Sequence, residues 1–146
     1  MKIVALFSLA LFSQLATAAC SLDVEVGDAL TFSQTQLAVE KGCGNVTINL
    51  KHTGKLAASV MGHNWVLTKD SDANDVAAKG LAAGLGNNYV PAGDARVIAA
   101  TKIIGGGETT SISFSTDSLT AGGSYIYVCT FPGHSFVMRG TLTVGA

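Results

Sequence analysis

At 146 residues the chain is long enough for one ordinary domain and too short for two. Its 9 basic and 10 acidic side chains give a formal charge of −1, and no basic run or patch occurs, which excludes nucleic acid as a natural partner. The three cysteines form an odd set, so one of them needs an explanation beyond intrachain pairing.

Met1-Lys2 gives a short basic start, residues 3–12 are an almost unbroken apolar run, and Ala16-Thr17-Ala18-Ala19 supplies small residues. That order is the one of a secretory signal peptide. The apolar run is about ten residues, well short of the roughly 20 that a spanning helix needs, which favours a removed leader over a retained anchor. Ala16-x-Ala18 suggests cleavage before Ala19, with one position earlier nearly as good, giving a leader over residues 1–18 and a mature domain over residues 19–146. Cys20 just behind that point raises the alternative of a lipid-modified cysteine. Lipoprotein signals usually carry Leu or a similar residue three positions earlier, where this chain has Thr17. Loss of Lys2 leaves eight basic and ten acidic side chains, a formal charge of −2. No second long apolar run follows, so a soluble mature protein without stable membrane insertion is expected.

The mature part reads as short strands separated by turn residues. Leu22, Val24 and Val26 alternate with Asp23 and Glu25, and Val46, Ile48 and Leu50 alternate with polar neighbours in the same way. A period of two marks half-buried strands. Residues 63–67 and 95–104 are further β-rich runs, Ile112 and Phe114 alternate with serines, residues 124–130 are rich in Tyr, Ile and Val, and residues 141–144 close the series. Clusters of Gly, Asn and Asp at 42–45, 105–107 and 121–123 punctuate them. Seven or eight such strands predict an all-β Greek-key sandwich or barrel. Residues 72–86 depart from the pattern: alanine-rich, with Asp72 as N-cap, Val76, Leu81 and Leu85 on one side, and Gly84 or Gly86 as a stop, they predict a short inserted helix.

Cys20 and Cys43 lie near the mature amino terminus, away from the histidines, and a structural disulfide between them is the simplest assignment. Cys129 is left over. It ends an apolar strand and opens the run Cys129-Thr130-Phe131-Pro132-Gly133-His134-Ser135-Phe136-Val137-Met138. Thiolate, imidazole and thioether thus occur at i, i+5 and i+9, and Pro132-Gly133 forces a tight loop that can fold them together. Such soft and borderline donors favour copper over hard cations. His63, in Met61-Gly62-His63-Asn64 at the head of a strand, is the best candidate for a second imidazole. Two histidines and a cysteine in a plane, with a weak axial methionine, describe a blue copper electron-transfer site. Each residue alone has a plainer reading, as inert core thiol, hydrogen-bonded histidine or core filler. The combined spacing and the odd exported cysteine outweigh those readings.

Three blocks of this sequence resemble the azurins, a family of blue copper proteins: Ala19-Cys20-Ser21, the run at residues 60–67, and residues 129–138, with support from residues 96–99 and 140–143. The resemblance implies an eight-stranded sandwich with a helical flap and one copper held in plane by His63, Cys129 and His134. It places Met138 and the Gly62 carbonyl at long axial distances, and it too implies the Cys20–Cys43 bridge. Asn64 and the backbone amide of Phe131 are then expected to orient the loop and its thiolate. His134 is expected at the surface, ringed by an apolar docking patch of Leu56, Met61, Leu81, Phe131, Pro132, Phe136 and Val137. Periplasmic redox proteins, such as c-type cytochromes or a reductase, are the implied partners of a monomer. In azurins a histidine at the position of His52 lies near the site and responds to pH, whereas core hydrogen bonding is its plainer role. Trp65 reads as core rather than electron relay. Ala100 replaces a further histidine that many azurins carry, and Phe136 fills a loop position that is often small.

Two other classes compete. A copper oxidase or nitrite reductase needs further histidine-rich copper sites, and this chain has three histidines, two of them already assigned. No enzyme is therefore expected. A copper carrier or storage module, or a zinc protein, could use the same ligands, but Met138 in the fourth place argues for redox copper over zinc.

Overall fold

A computed structural model of the chain describes residues 19–146; the leader expected over residues 1–18 lies outside them. Within the described residues, eight strands form two sheets. The first holds β1 (Ser21–Val26), β3 (Asn45–His52) and β6 (Thr109–Ser115) in the order β1-β3-β6. The second holds β2 (Gln36–Glu40), β8 (Arg139–Gly145), β7 (Tyr125–Val128), β4 (Val66–Lys69) and β5 (Ala99–Ala100) in the order β2-β8-β7-β4-β5. β1 runs parallel to β3 and β2 parallel to β8, while the other pairs are antiparallel. This is the predicted all-β sandwich.

The alternating strands bury their apolar sets between the sheets. On β3, Val46, Ile48, Leu50 and finally His52 are buried; the first three share one core with Leu142 and Val144 of β8, with Trp65 and Tyr127, and with Phe114, the neighbour of Val46 on β6. Trp65 stacks on Tyr127 with ring centroids 5.4 Å apart. Its indole N–H has no hydrogen-bond partner among the described residues, so Trp65 sits in the core as a hydrocarbon-like filler. Each aliphatic side chain removed from water in this way contributes about 1.5–3 kcal/mol.

The helix is α2 (Ala73–Ala83), preceded by a single helical turn, α1 (Ala58–Met61), that residue pattern did not reveal. Asp72 occupies the N-cap position of α2 without making a side-chain cap bond, and Gly84 closes its carboxyl end. The inward face of α2 is Ala73, Val76, Ala77 and Gly80 rather than Val76 with Leu81 and Leu85, which are 54% and 47% exposed. Gly80 shows why: a Cβ there would lie 2.2 Å from the Tyr89 carbonyl oxygen, so the small-residue stripe is the face that approaches closely. That stripe packs on Val66, Ile126 and Val128 from the outer side of β4 and β7. β7 is therefore buried on both faces, and Cys129 follows directly from the most enclosed strand of the fold.

Two strand readings need correction. The run at residues 95–104 forms only the two-residue β5, because the Thr101 hydroxyl accepts the Trp65 N–H at 2.9 Å and interrupts the ladder. Pairing resumes as a bridge between His63 and Ile104. The run at residues 63–67 is accordingly strand only from Val66 onward, with His63 held by that bridge. β2 was not legible as a strand, having a single short alternation between loops.

Cys20 and Cys43 are joined, with Cα atoms 5.4 Å apart. The bond ties the start of β1 to the turn before β3, beside a Thr47 N–H to Cys20 carbonyl bond of 2.9 Å. With a sequence separation of 23 between the half-cystines, chain-entropy arguments put its contribution at about 3 kcal/mol. Replacing both by serine should lower stability to urea by that amount while leaving the metal site's absorption unchanged. Thiol counting on unfolded, unreduced, metal-free protein should find one thiol, and three would refute the bridge.

Candidate metal centre

His63, Cys129 and His134 come together at one end of the sandwich, all buried, with their donor atoms within 4.8 Å of one another. The three arrive from different places. His63 lies in the bridge before β4, Cys129 follows β7, and His134 sits in the loop leading to β8. Cys129 Sγ is 3.7 Å from His63 Nδ1 and 3.6 Å from His134 Nδ1. Metal–thiolate and metal–imidazole bonds of about 2.3 and 2.0 Å set 120° apart would separate sulfur and nitrogen by about 3.7 Å. The donors present thus fit one first-row metal ion in a trigonal plane.

The surrounding hydrogen bonds fix which atoms face inward. His63 Nε2 donates to the Gly27 carbonyl at 2.8 Å, which leaves the Nδ1 lone pair directed at the sulfur. The loop is closed twice: Cys129 N–H donates to the Met138 carbonyl at 3.1 Å, and Met138 N–H donates to the His134 carbonyl at 2.9 Å. Asn64 clamps it from the side. The Asn64 amide oxygen accepts Thr130 N–H, and its amide nitrogen donates to Thr130 Oγ1 and to the Asn88 carbonyl, each at 2.8 Å. The backbone amides of Asn64 and Phe131 both donate to the Cys129 sulfur. Met138 is fully buried in the same core, and Gly62 is buried beside His63.

Burial dominates the electrostatics. Removal from water pushes the Cys129 thiol up to about 11, against the opposing pull of the two amides. The same desolvation lowers His63 to about 4 and moves His134 in the same direction. A cation that displaces the thiol proton suits such a site, since two neutral imidazoles and the resulting thiolate present only electron pairs. His52 stacks on His63 with centroids 5.2 Å apart. Its Nε2 donates to the Met61 carbonyl at 3.0 Å and its Nδ1 accepts the Gly54 N–H at 3.1 Å, so both ring nitrogens are engaged away from the donor set.

His134 is less open than expected: it is 5% exposed, with Phe131 packed on it at a centroid distance of 4.6 Å. Phe131 is itself mostly buried, and Met61 is half-buried. Leu56, Leu81, Pro132, Phe136 and Val137 are exposed, Phe136 by 83%. Leu81, Phe131, Pro132 and Phe136 line one groove of about 220 Å³ between α2 and the loop. Val60, 60% exposed on α1, was not among the expected surface residues, and its place in an alanine-flanked stretch gave no signal.

Two β-sheets closed around a single buried Cys-His-His set define a blue copper cupredoxin. A family model for copper binding proteins of the plastocyanin/azurin family matches residues 18–145. Azurin-1 of Alcaligenes xylosoxydans xylosoxydans is 54% identical over 125 residues, covering 86% of this chain and 97% of that protein. Azurin of Bordetella pertussis is 51% identical over 125 residues, covering 86% and 83%. A solved structure of the azurin Az-iso2 from the obligate methylotroph Methylomonas sp. strain J superimposes with a TM-score of 0.85 at 46% identity, covering 88% of this chain and all of that one. The chain belongs to the plastocyanin/azurin family, and its cofactor is copper.

The depressed His63 value has a measurable consequence in the metal-free protein. Between pH 6.5 and about 4 the unfolded chain binds a proton that the folded His63 refuses, so stability present at neutral pH is lost as pH falls through that window. Denaturant titrations from pH 7 to 4.5 should show a loss of roughly 2 kcal/mol in which His63 is the main histidine. His63→Gln should flatten that slope, and an unchanged slope would assign the effect elsewhere.

Proposed function

We propose that this protein is a periplasmic electron carrier that cycles one copper ion between Cu(I) and Cu(II) and passes electrons between redox proteins. The observation that carries the reading is the fully buried Cys129 sulfur set 3.7 and 3.6 Å from two inward-facing imidazole nitrogens. Cys129, His63 and His134 would hold the ion, with buried Met138 and the Gly62 carbonyl as the further groups that would contact it. Copper in such a set supplies reversible one-electron chemistry. The residues do the rest. The double closure of the loop and the Asn64 clamp keep the donors in place through both charge states, so little rearrangement accompanies electron transfer. The amides of Asn64 and Phe131 withdraw charge from the sulfur and so tune the potential.

Export to the periplasm is supported by the leader pattern in residues 1–18 and by the Cys20–Cys43 bond, which persists in oxidising compartments. Among the described residues no helix is long and apolar enough to cross a membrane. Electrons leave through the edge of His134, and the apolar residues around it receive the partner: Leu56, Met61, Leu81, Pro132, Phe136 and Val137. c-Type cytochromes or a periplasmic reductase are the expected partners. Contacts under about 1,200 Å² suit such brief encounters, and a formal charge near −2 leaves little long-range steering.

Cys129→Ser tests the ligand assignment. A hydroxyl is a harder donor without sulfur-to-copper charge transfer, so the variant should fold yet lose the intense blue band and reversible redox cycling. A retained blue spectrum would remove Cys129 from the site. Met61→Lys tests the exit. It should slow electron self-exchange by placing like charges face to face, with the spectrum nearly unchanged and the rate partly restored at high salt. An unaffected rate at low salt would mean that electrons leave elsewhere.

A further inference from the structure

The hydrogen-bond network behind His63 leads to a charged side chain at the surface. Gly27, whose carbonyl fixes the His63 ring, is followed by Asp28. The Asp28 carboxylate accepts Lys55 N–H at 2.9 Å through Oδ2 and at 3.1 Å through Oδ1, and Leu56 N–H at 3.1 Å through Oδ1. The segment is also zipped two residues before Asp28, where the Val26 carbonyl accepts Thr53 N–H at 2.8 Å and the Thr53 hydroxyl at 3.0 Å. Gly54 fits only as glycine here, because a Cβ would lie 2.2 Å from Asp28 Oδ1. The Gly54 N–H in turn engages His52, whose other nitrogen binds the Met61 carbonyl, two residues before His63. Asp28 therefore braces His63 from two directions: through the Gly27 carbonyl on one side, and through Gly54, His52 and Met61 on the other.

Charge adds to geometry. The Lys55 and Leu56 amides hold the Asp28 carboxyl below its ordinary range, so it is ionised at neutral pH, and its field reaches His52 and His63. Nothing in the donor set itself is a carboxylate.

Resting on the copper reading above, we propose that Asp28 is a positioning residue of the metal centre, holding the Gly27 carbonyl against His63 and lowering the reduction potential by placing a negative charge behind that ligand. A fixed anion favours the more positive oxidation state, so neutralising it must raise the potential.

The experiment uses the wild-type protein, Asp28→Asn, Asp28→Ala and, as a control for loss of a remote exposed carboxylate, Asp117→Asn. In the copper-loaded proteins Asp28→Asn should raise the potential, with the shift shrinking as salt screens the charge, and Asp117→Asn should leave it in place. Asp28→Ala, which removes the brace as well, should also release copper to a chelator on the order of tenfold faster. In the metal-free proteins, hydrogen exchange at the Lys55 and Leu56 amides and at His63 Nε2 should quicken in both Asp28 variants. An unchanged low-salt potential in both, or the same rise in Asp117→Asn, overturns the electrostatic claim. Unchanged His63 Nε2 exchange in Asp28→Ala overturns the positioning claim. Absence of a blue band in the wild type would instead defeat the copper reading, and the metal-free exchange data would still judge the brace. If Asp28→Ala does not fold, Asp28→Asn carries both readouts.

Discussion

A sulfur atom with no access to water is the constraint on which the rest of this structure depends. Cys129 is fully buried, and burial outweighs every opposing influence to leave its thiol up at about 11. Two backbone amides pull the other way without restoring an ordinary thiol. A thiolate is stable there only beside a positive charge. Two imidazole nitrogens, at 3.7 and 3.6 Å from the sulfur, are kept neutral by the same desolvation. The donor set is thus incomplete on its own and is completed by a soft cation. Copper meets that demand in both of its common charge states, whereas hard cations prefer oxygen donors that the site lacks.

The fold makes the site rigid by burying what leads into it. β7 has core on one face and α2 on the other, so Cys129 leaves a strand with no freedom to move. Asn64 sits at the crossing of three segments and joins the ligand loop to the turn carrying Asn88, which in turn accepts Ile103 N–H at 3.1 Å through its side chain. His52, His63 and His134 form a column of rings at spacings of 5.2 and 5.0 Å, each held by the next. A site supported in this way changes charge with little change of shape, which is the property an electron carrier needs.

Much of this was legible in the residues because the informative patterns were local. The period-two strands β1, β3, β6 and β8 have one face in water and one in the core, and their sequences alternate accordingly. The cluster at residues 129–138 carries three donors within ten positions, and the odd cysteine count pointed to it. What failed depended on tertiary context. β5 is cut short by a side chain, Thr101, taking a ladder donor, which no periodicity reports. The buried face of α2 is defined by the close approach of Tyr89 to Gly80, so alanine and glycine mark the inside and leucines the outside, the reverse of the usual pattern. The brace from Asp28 joins residues 27 positions apart, and a lone aspartate after a glycine looks like any turn.

The histidines draw the remaining distinction. The chain has three. Two have a ring nitrogen aimed at Cys129, and the third would have to surrender bonds to both Gly54 and Met61 before it could bind anything. A second copper would therefore need the very contacts that hold the first site in place. His134 differs from His63 in its surroundings. His63 is sealed behind Gly27 and Ile104, while His134, 5% exposed, lies against Phe131, which itself lines an apolar groove. One imidazole is fully enclosed and the other lies just beneath the surface. That asymmetry leaves one ligand sealed toward the core and the other just beneath the surface, with the donors of both kept dry.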